Sequence, residues 1–106
     1  MKKVQLREIC YARSGDKGNI SDIGLMALNK ESYEIIKKQV TSERVKKHFG
    51  DMVTGSVTIY EMPNIDSLEI VMYGALDGGA PRTLRLDQTG KSLGQALLRM
   101  EVEVPD

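Results

Sequence analysis

Ile20-Ser21-Asp22-Ile23-Gly24-Leu25-Met26-Ala27-Leu28 is the stretch on which the fold turns. From Ile23 onward it is apolar throughout, so periodicity alone does not separate helix from strand. Its short length and the helix signals that follow favour a buried strand. Upstream, Val4 to Arg13 reads as another strand, with Val4 and Leu6 on one face and Ile9 and Tyr11 on the other. That change of phase predicts a bulge, or a strand covered on both sides. Downstream, Asn29 or Ser32 caps a helix running through Val40, with Tyr33, Ile36 and Val40 on one side and Lys37 and Lys38 on the other. Thr41-Ser42 opens a second helical stretch that carries Val45 and Phe49 and stops at Gly50. Val53 to Met62 alternates as a strand and ends at the turn signal Pro63-Asn64. Ser67 to Ala75 is the next strand, with Leu68, Ile70 and Met72 on one face. Ser92-x-x-Gln95 is a capping box for a helix bearing Leu93, Ala96, Leu97 and Met100, and Glu101 to Val104 alternates as a short final strand.

The order is β-β-α(α)-β-β-α-β. With the extra hairpin strand set aside it is βαββαβ, the split unit whose helices cover one face of an antiparallel sheet. The expected fold is therefore α+β: a ferredoxin-like βαββαβ sandwich with an additional N-terminal hairpin strand. In that arrangement the first and third core strands are adjacent and antiparallel. Taking Val4–Arg13 as the first places its end opposite the start of Ser67–Ala75. The helix-free face would carry Tyr60, Met62, Val71, Tyr73 and one side of the Ile23–Leu28 run, an apolar patch of the kind that marks an interface.

At 106 residues the chain reads as a single domain spanning 1–106, with no repeat, linker or low-complexity tract. It is 41% hydrophobic and 28% charged, as soluble globular chains are. Lys+Arg and Asp+Glu balance at 15 each, so no overall field steers it to nucleic acid or to an anionic membrane. No apolar run approaches the roughly 20 residues of a membrane helix, and the Met1-Lys2-Lys3-Val4 start does not read as a signal peptide. A single cysteine, Cys10, excludes an internal disulfide and fits a reducing cytoplasm.

Two segments concentrate candidate chemistry. Arg13-Ser14-Gly15-Asp16-Lys17-Gly18-Asn19 and Gly74-Ala75-Leu76-Asp77-Gly78-Gly79-Ala80-Pro81-Arg82 each mix glycines with charged and amide side chains directly after a strand. Glycine permits positive φ and close approach. Arg, Lys, Ser and Asn offer donors to an anion. The candidate ligand-binding residues are Arg13, Ser14, Gly15, Asp16, Lys17, Gly18 and Asn19 with Gly74, Asp77, Gly78, Gly79 and Arg82. Positive φ is expected at Gly15 and Gly18, and convergence of the two loops would make one anion pocket with Arg13, Lys17 and Arg82 around it. The competing readings are a hairpin turn with solvated charges and a crossover loop whose arginines pair with surface carboxylates. Neither segment is a P-loop or a dinucleotide fingerprint, because the glycine spacing and flanking elements differ.

Together with Thr41-Ser42-Glu43-Arg44-Val45, Glu61-Met62-Pro63-Asn64, Leu84-Arg85-Leu86-Asp87 and Gly90-Lys91, these segments resemble the small ferredoxin-fold domain of AtuA-like proteins, named for acyclic terpene utilisation. The resemblance covers nearly the whole chain and departs at Asp77 and Ala80, where many relatives would carry glycine. It implies a domain that occurs fused behind a larger one or as a separate short protein. It also implies a link to bacterial breakdown of acyclic terpenoids such as citronellol and geraniol, through branched acyl-CoA compounds.

The leading expectation is an accessory subunit of such a catabolic system, acting on terpenoid or branched carboxylic or acyl-CoA compounds beside a separate large AtuA-like subunit. The alternative is a non-catalytic, anion-binding or regulatory module that self-associates into a homo-oligomer through its sheet face. The least favoured reading is an independent small enzyme using Ser14, Asp16, Lys17 or His48; a Cys10–His48 or Ser14–His48–Asp16 set can be written down, but nothing in the spacing brings either together. No catalytic residue is assigned and no cofactor is implied. One His and one Cys argue against a metal site. RNA-recognition motifs share this topology but rely on sheet aromatics and basic surroundings. Here the one Phe lies outside the candidate strands and the net charge is zero.

Overall fold

The computed structural model describes residues 1–17, 20–50, 53, 55–74 and 93–105, with backbone alone at 16 and 17. Strand β1 (Lys2–Gln5) leads through a 3-10 turn (Leu6–Glu8) into β2 (Cys10–Lys17), and β3 (Ile20–Ala27) returns antiparallel to it. Helices α1 (Lys30–Gln39) and α2 (Ser42–Phe49) follow. Strands β4 (Val57–Met62) and β5 (Ser67–Tyr73) form a hairpin around Pro63–Ile65, α3 covers 93–97, and β6 (Glu101–Val104) closes the described chain. The α+β, ferredoxin-like expectation holds, with antiparallel sheets backed by helices.

The apolar run is a strand, and it occupies a central position: the four-stranded sheet has the order β2-β3-β5-β4. Ser21, Ile23 and Leu25 are buried, opposite Met72, Ile70 and Leu68 of β5. Against this inner face pack Tyr33 and Ile36 of α1, Val45 and Phe49 of α2, and Leu93 and Leu97 of α3. Burying a side chain of this size stabilises the fold by about 1.5–3 kcal/mol.

Helix α1 starts where Asn29 Oδ1 accepts from the Ser32 N–H at 2.7 Å. Thr41 Oγ1 does the same for Arg44 N–H at 3.2 Å, and Gly50 ends α2 at φ 58°. Asn29→Ala is expected to cost about 1 kcal/mol, measured by urea unfolding. A loss below a few tenths would show that water replaces the cap.

One expectation is corrected. Val4–Arg13 is neither continuous nor the core strand beside β5; that place belongs to β3. The N-terminal segment breaks because Leu6 N–H donates to Met100 O at 2.8 Å and Arg7 N–H to Leu98 O at 3.0 Å, which buries Leu6. The turn resets the side-chain phase, so β1 pairs with β6 in a two-stranded ribbon while β2 pairs with β3. The additional strand of the ferredoxin-like unit is thus β2 itself.

The free edge of β6 is occupied by side chains. Gln39 Nε2 donates to Glu103 O at 2.7 Å, and Gln39 Oε1 accepts from Glu103 N–H at 2.8 Å. Arg44 Nη2 donates to Glu101 O at 2.7 Å. These contacts use the groups that would otherwise template another strand.

Candidate functional site

The face of the four-stranded sheet opposite the helices carries a small concavity. Alternation places Arg13 of β2, Gly24 of β3, Glu69 of β5 and Tyr60 of β4 in one cross-strand row. The next row holds Gly15, Asp22, Val71 and Thr58; the row on the other side holds Tyr11, Met26, Ser67 and Met62. Because Gly24 has no side chain, the middle row is open between Arg13 and Glu69. The resulting cavity of about 270 Å³ has Arg13, Asp22 and Glu69 toward one end and Met26, Met62 and Ile65 toward the other.

The two carboxyls are coupled. Burial, a hydrogen bond with Asp22 and the Asp22 negative charge push the Glu69 carboxyl up from an ordinary 4.5 to about 7. One proton held between the two groups relieves their repulsion. The ion pairs among the described residues are Lys30–Asp66 and Lys37–Glu34, so Arg13 is tied to neither carboxyl.

The sign of the resulting pH dependence is fixed. The folded chain holds the Glu69 proton more tightly than the unfolded chain does, so this group's contribution to stability falls as pH rises from about 4.5 to about 7. Glu69→Gln is expected to flatten that part of the profile, read as melting temperature between pH 4.5 and 8. An unchanged slope would assign the dependence elsewhere.

Gly15 is corrected as well. Positive φ among the described glycines occurs at Gly50 and Gly74, and Gly15 is ordinary extended strand. Its requirement is clearance: a Cβ there would lie 2.9 Å from Asp22 Oδ1. Gly18 lies outside the described residues.

Ser14, next to Arg13, turns to the helix side, where its hydroxyl accepts from Gly94 N–H at 2.8 Å at the start of α3. Arg13 and Ser14 therefore serve opposite faces. Gly74 has φ 76°, directly after β5. The backbone of Lys17 pairs with Ile20, which pairs with Tyr73. The exits toward both glycine-rich loops thus share one end of the sheet, about two strand spacings or ~10 Å apart. Asn19, Asp77, Gly78, Gly79 and Arg82 lie outside the described residues, and with them the convergence of the loops.

No hydrogen bond joins Cys10, Ser14 and His48 among the described residues, and the Asp16 side chain lies outside them. Cys10 is buried, and desolvation pushes its thiol up to about 12. His48 Nε2 donates to Ala96 O at 2.7 Å. Among the described residues there is no group of three His, Cys, Asp or Glu suited to a metal ion, and no helix is long and apolar enough to cross a membrane.

Sequence reasoning located Arg13 and Gly15 but missed Asp22, Gly24 and Glu69. The available signal was a glycine inside a strand, which marks close approach by another group, together with a glutamate in the apolar run Leu68–Met72.

A family model described as the AtuA ferredoxin-like domain matches residues 4–103. No curated protein and no solved structure gives a match.

Proposed function

Because the chain belongs to the AtuA ferredoxin-like domain family, we propose that it is a small accessory unit of an AtuA-like catabolic system acting on terpenoid or branched carboxylic or acyl-CoA compounds. The observation that carries this reading is the helix-free sheet face. Tyr11, Tyr60 and Met62 are 53%, 52% and 41% exposed around the concavity, so a partner covering them would also close the site. Large exposed apolar groups gathered in this way favour a docked surface over a solvated one. The chain's net charge of zero gives nucleic acid no general attraction to this face, despite the exposed tyrosines. The working compartment on this reading is the cytoplasm. The experiment is affinity capture of the tagged chain from a bacterium expressing a large AtuA-like subunit. Stoichiometric recovery of that subunit, lost on Tyr60→Glu with Met62→Glu, supports the reading; recovery of the chain alone overturns it.

A second reading rests on the same face: a non-catalytic anion-binding module that pairs as a homo-oligomer. Light scattering coupled to gel filtration separates the two, because the second reading requires a dimer or larger species of the chain by itself.

A further inference from the structure

We propose that the concavity over Gly24 binds a small monocarboxylate with an apolar tail, its carboxylate lying between Arg13 and Glu69 and its tail on Met26, Met62 and Ile65. The inference deepens the reading above by naming the ligand class of the same face, and it rests on that face holding a ligand.

Four observations carry it. Arg13 and Glu69 flank Gly24 in one cross-strand row, so the gap between them has a backbone floor and a polar group at each end. A carbon at Gly24 would lie 3.5 Å from Glu69 Oε1 and 4.0 Å from the Arg13 carbonyl, so no side chain at this position stands between the Glu69 carboxyl and the backbone floor. The methionines and Ile65 give the opposite end an apolar, adaptable wall. The volume, about 270 Å³, lies just under the ~300 Å³ at which drug-sized pockets begin, which restricts the occupant to a small molecule.

The charges then select the ligand. A guanidinium binds a carboxylate through two parallel hydrogen bonds. Asp22 on β3 and Glu69 on β5 would repel a ligand of higher negative charge such as a phosphate. The proton that burial and Asp22 keep on Glu69 near neutral pH is shared with Asp22, so the acid pair beside the guanidinium carries one negative charge rather than two. Around Glu69 the charged or titratable groups facing it are Arg13 from β2, Asp22 from β3 and Tyr60 from β4. Loss of that shared proton adds a second negative charge at the same place, so binding weakens as pH rises past about 7.

The test is titration of the isolated chain with 4-methylpentanoate, followed by amide chemical shifts at pH 6.0 and 8.5, with acetate as the tail-less control. The expected result is saturable shifts at Gly24, Met26 and Glu69, at least tenfold weaker at pH 8.5 and at least tenfold weaker for acetate. Arg13→Ala should weaken binding tenfold or more. Glu69→Gln, which keeps a donor, should bind with little pH dependence. Amide spectra of both variants establish that they fold. No saturable shift at pH 6.0, shifts centred away from Gly24, or binding indifferent to Arg13→Ala would overturn the proposal. A large subunit recovered by capture alongside a null titration would leave the accessory role standing and remove the carboxylate site. Titration without capture would do the reverse.

Discussion

Leu25→Ala is expected to lower the unfolding free energy by about 3 kcal/mol, whereas Met26→Ala, one residue on, is expected to cost less than about 1 kcal/mol. Leu25 is fully buried against Leu68 on the helix-covered face, and removing its methyl groups leaves a cavity that the flanking strands β2 and β5 cannot close. Met26 points to the other side, where it is only partly covered. Strand periodicity makes this pair a test of register as well as of packing, since a one-residue slip would exchange the two costs. Urea unfolding of both variants at pH 7 measures it. Equal losses at high protein concentration, with Met26→Ala becoming cheap on dilution, would show the outer face packed in an assembly. Equal losses at all concentrations would contradict the sidedness described for β3.

Gly55→Ala is expected to cost about 3 kcal/mol. A Cβ at Gly55 would fall on the Tyr73 carbonyl oxygen and lie 2.8 Å from the carbonyl carbon, and that same carbonyl accepts the Gly55 N–H at 2.8 Å. The obstacle is backbone just ahead of β4, at the end of the β4–β5 ladder, so relief means pulling the start of β4 away from β5 and losing the hydrogen bond. Gly24→Ala is the useful contrast, because its Cβ would make only ordinary contacts. It should change stability by less than about 1 kcal/mol. Thermal melts of the two variants compare them directly, and a Gly55→Ala protein that melts with the parent would contradict the close approach of Gly55 to the Tyr73 carbonyl.

Legibility followed the range of the interactions. Asn29, Thr41 and Gly50 act on groups three or four residues away, so the starts of both long helices and the end of α2 were readable from short patterns. The strand alternation of β5 was readable for the same reason. The break at Leu6 was not, because its cause is hydrogen bonds to carbonyls of Leu98 and Met100 at the other end of the chain. Placing the added hairpin strand also needed tertiary information: Val4 and the start of β2 belong to one candidate strand in sequence but to different sheets in space. At the site, Arg13 stood out by its glycine-rich surroundings. Asp22 and Glu69 are ordinary acids in sequence and become a coupled pair only when β3 and β5 set them diagonally across the face. Gly15 shows the limit from the other side, since a glycine in a charged segment was read as conformational freedom when its use is room for a neighbouring carboxylate.

The β1–β6 ribbon has a kinetic meaning. Lys2 pairs with Val104, so this ladder closes a loop of nearly the whole chain, whereas the β2–β3 and β4–β5 hairpins close over a few residues. Loop closure entropy must be met before such a distant pairing returns any free energy. The hairpins and the two helices between them therefore assemble early, and the ribbon is fastened late, with Gln39 and Arg44 acting as its latch. In native-state hydrogen exchange the amides of β1 and β6 then belong to the first unit to open, leaving the outer-face cavity of β2, β3 and β5 intact while the ends of the chain come and go.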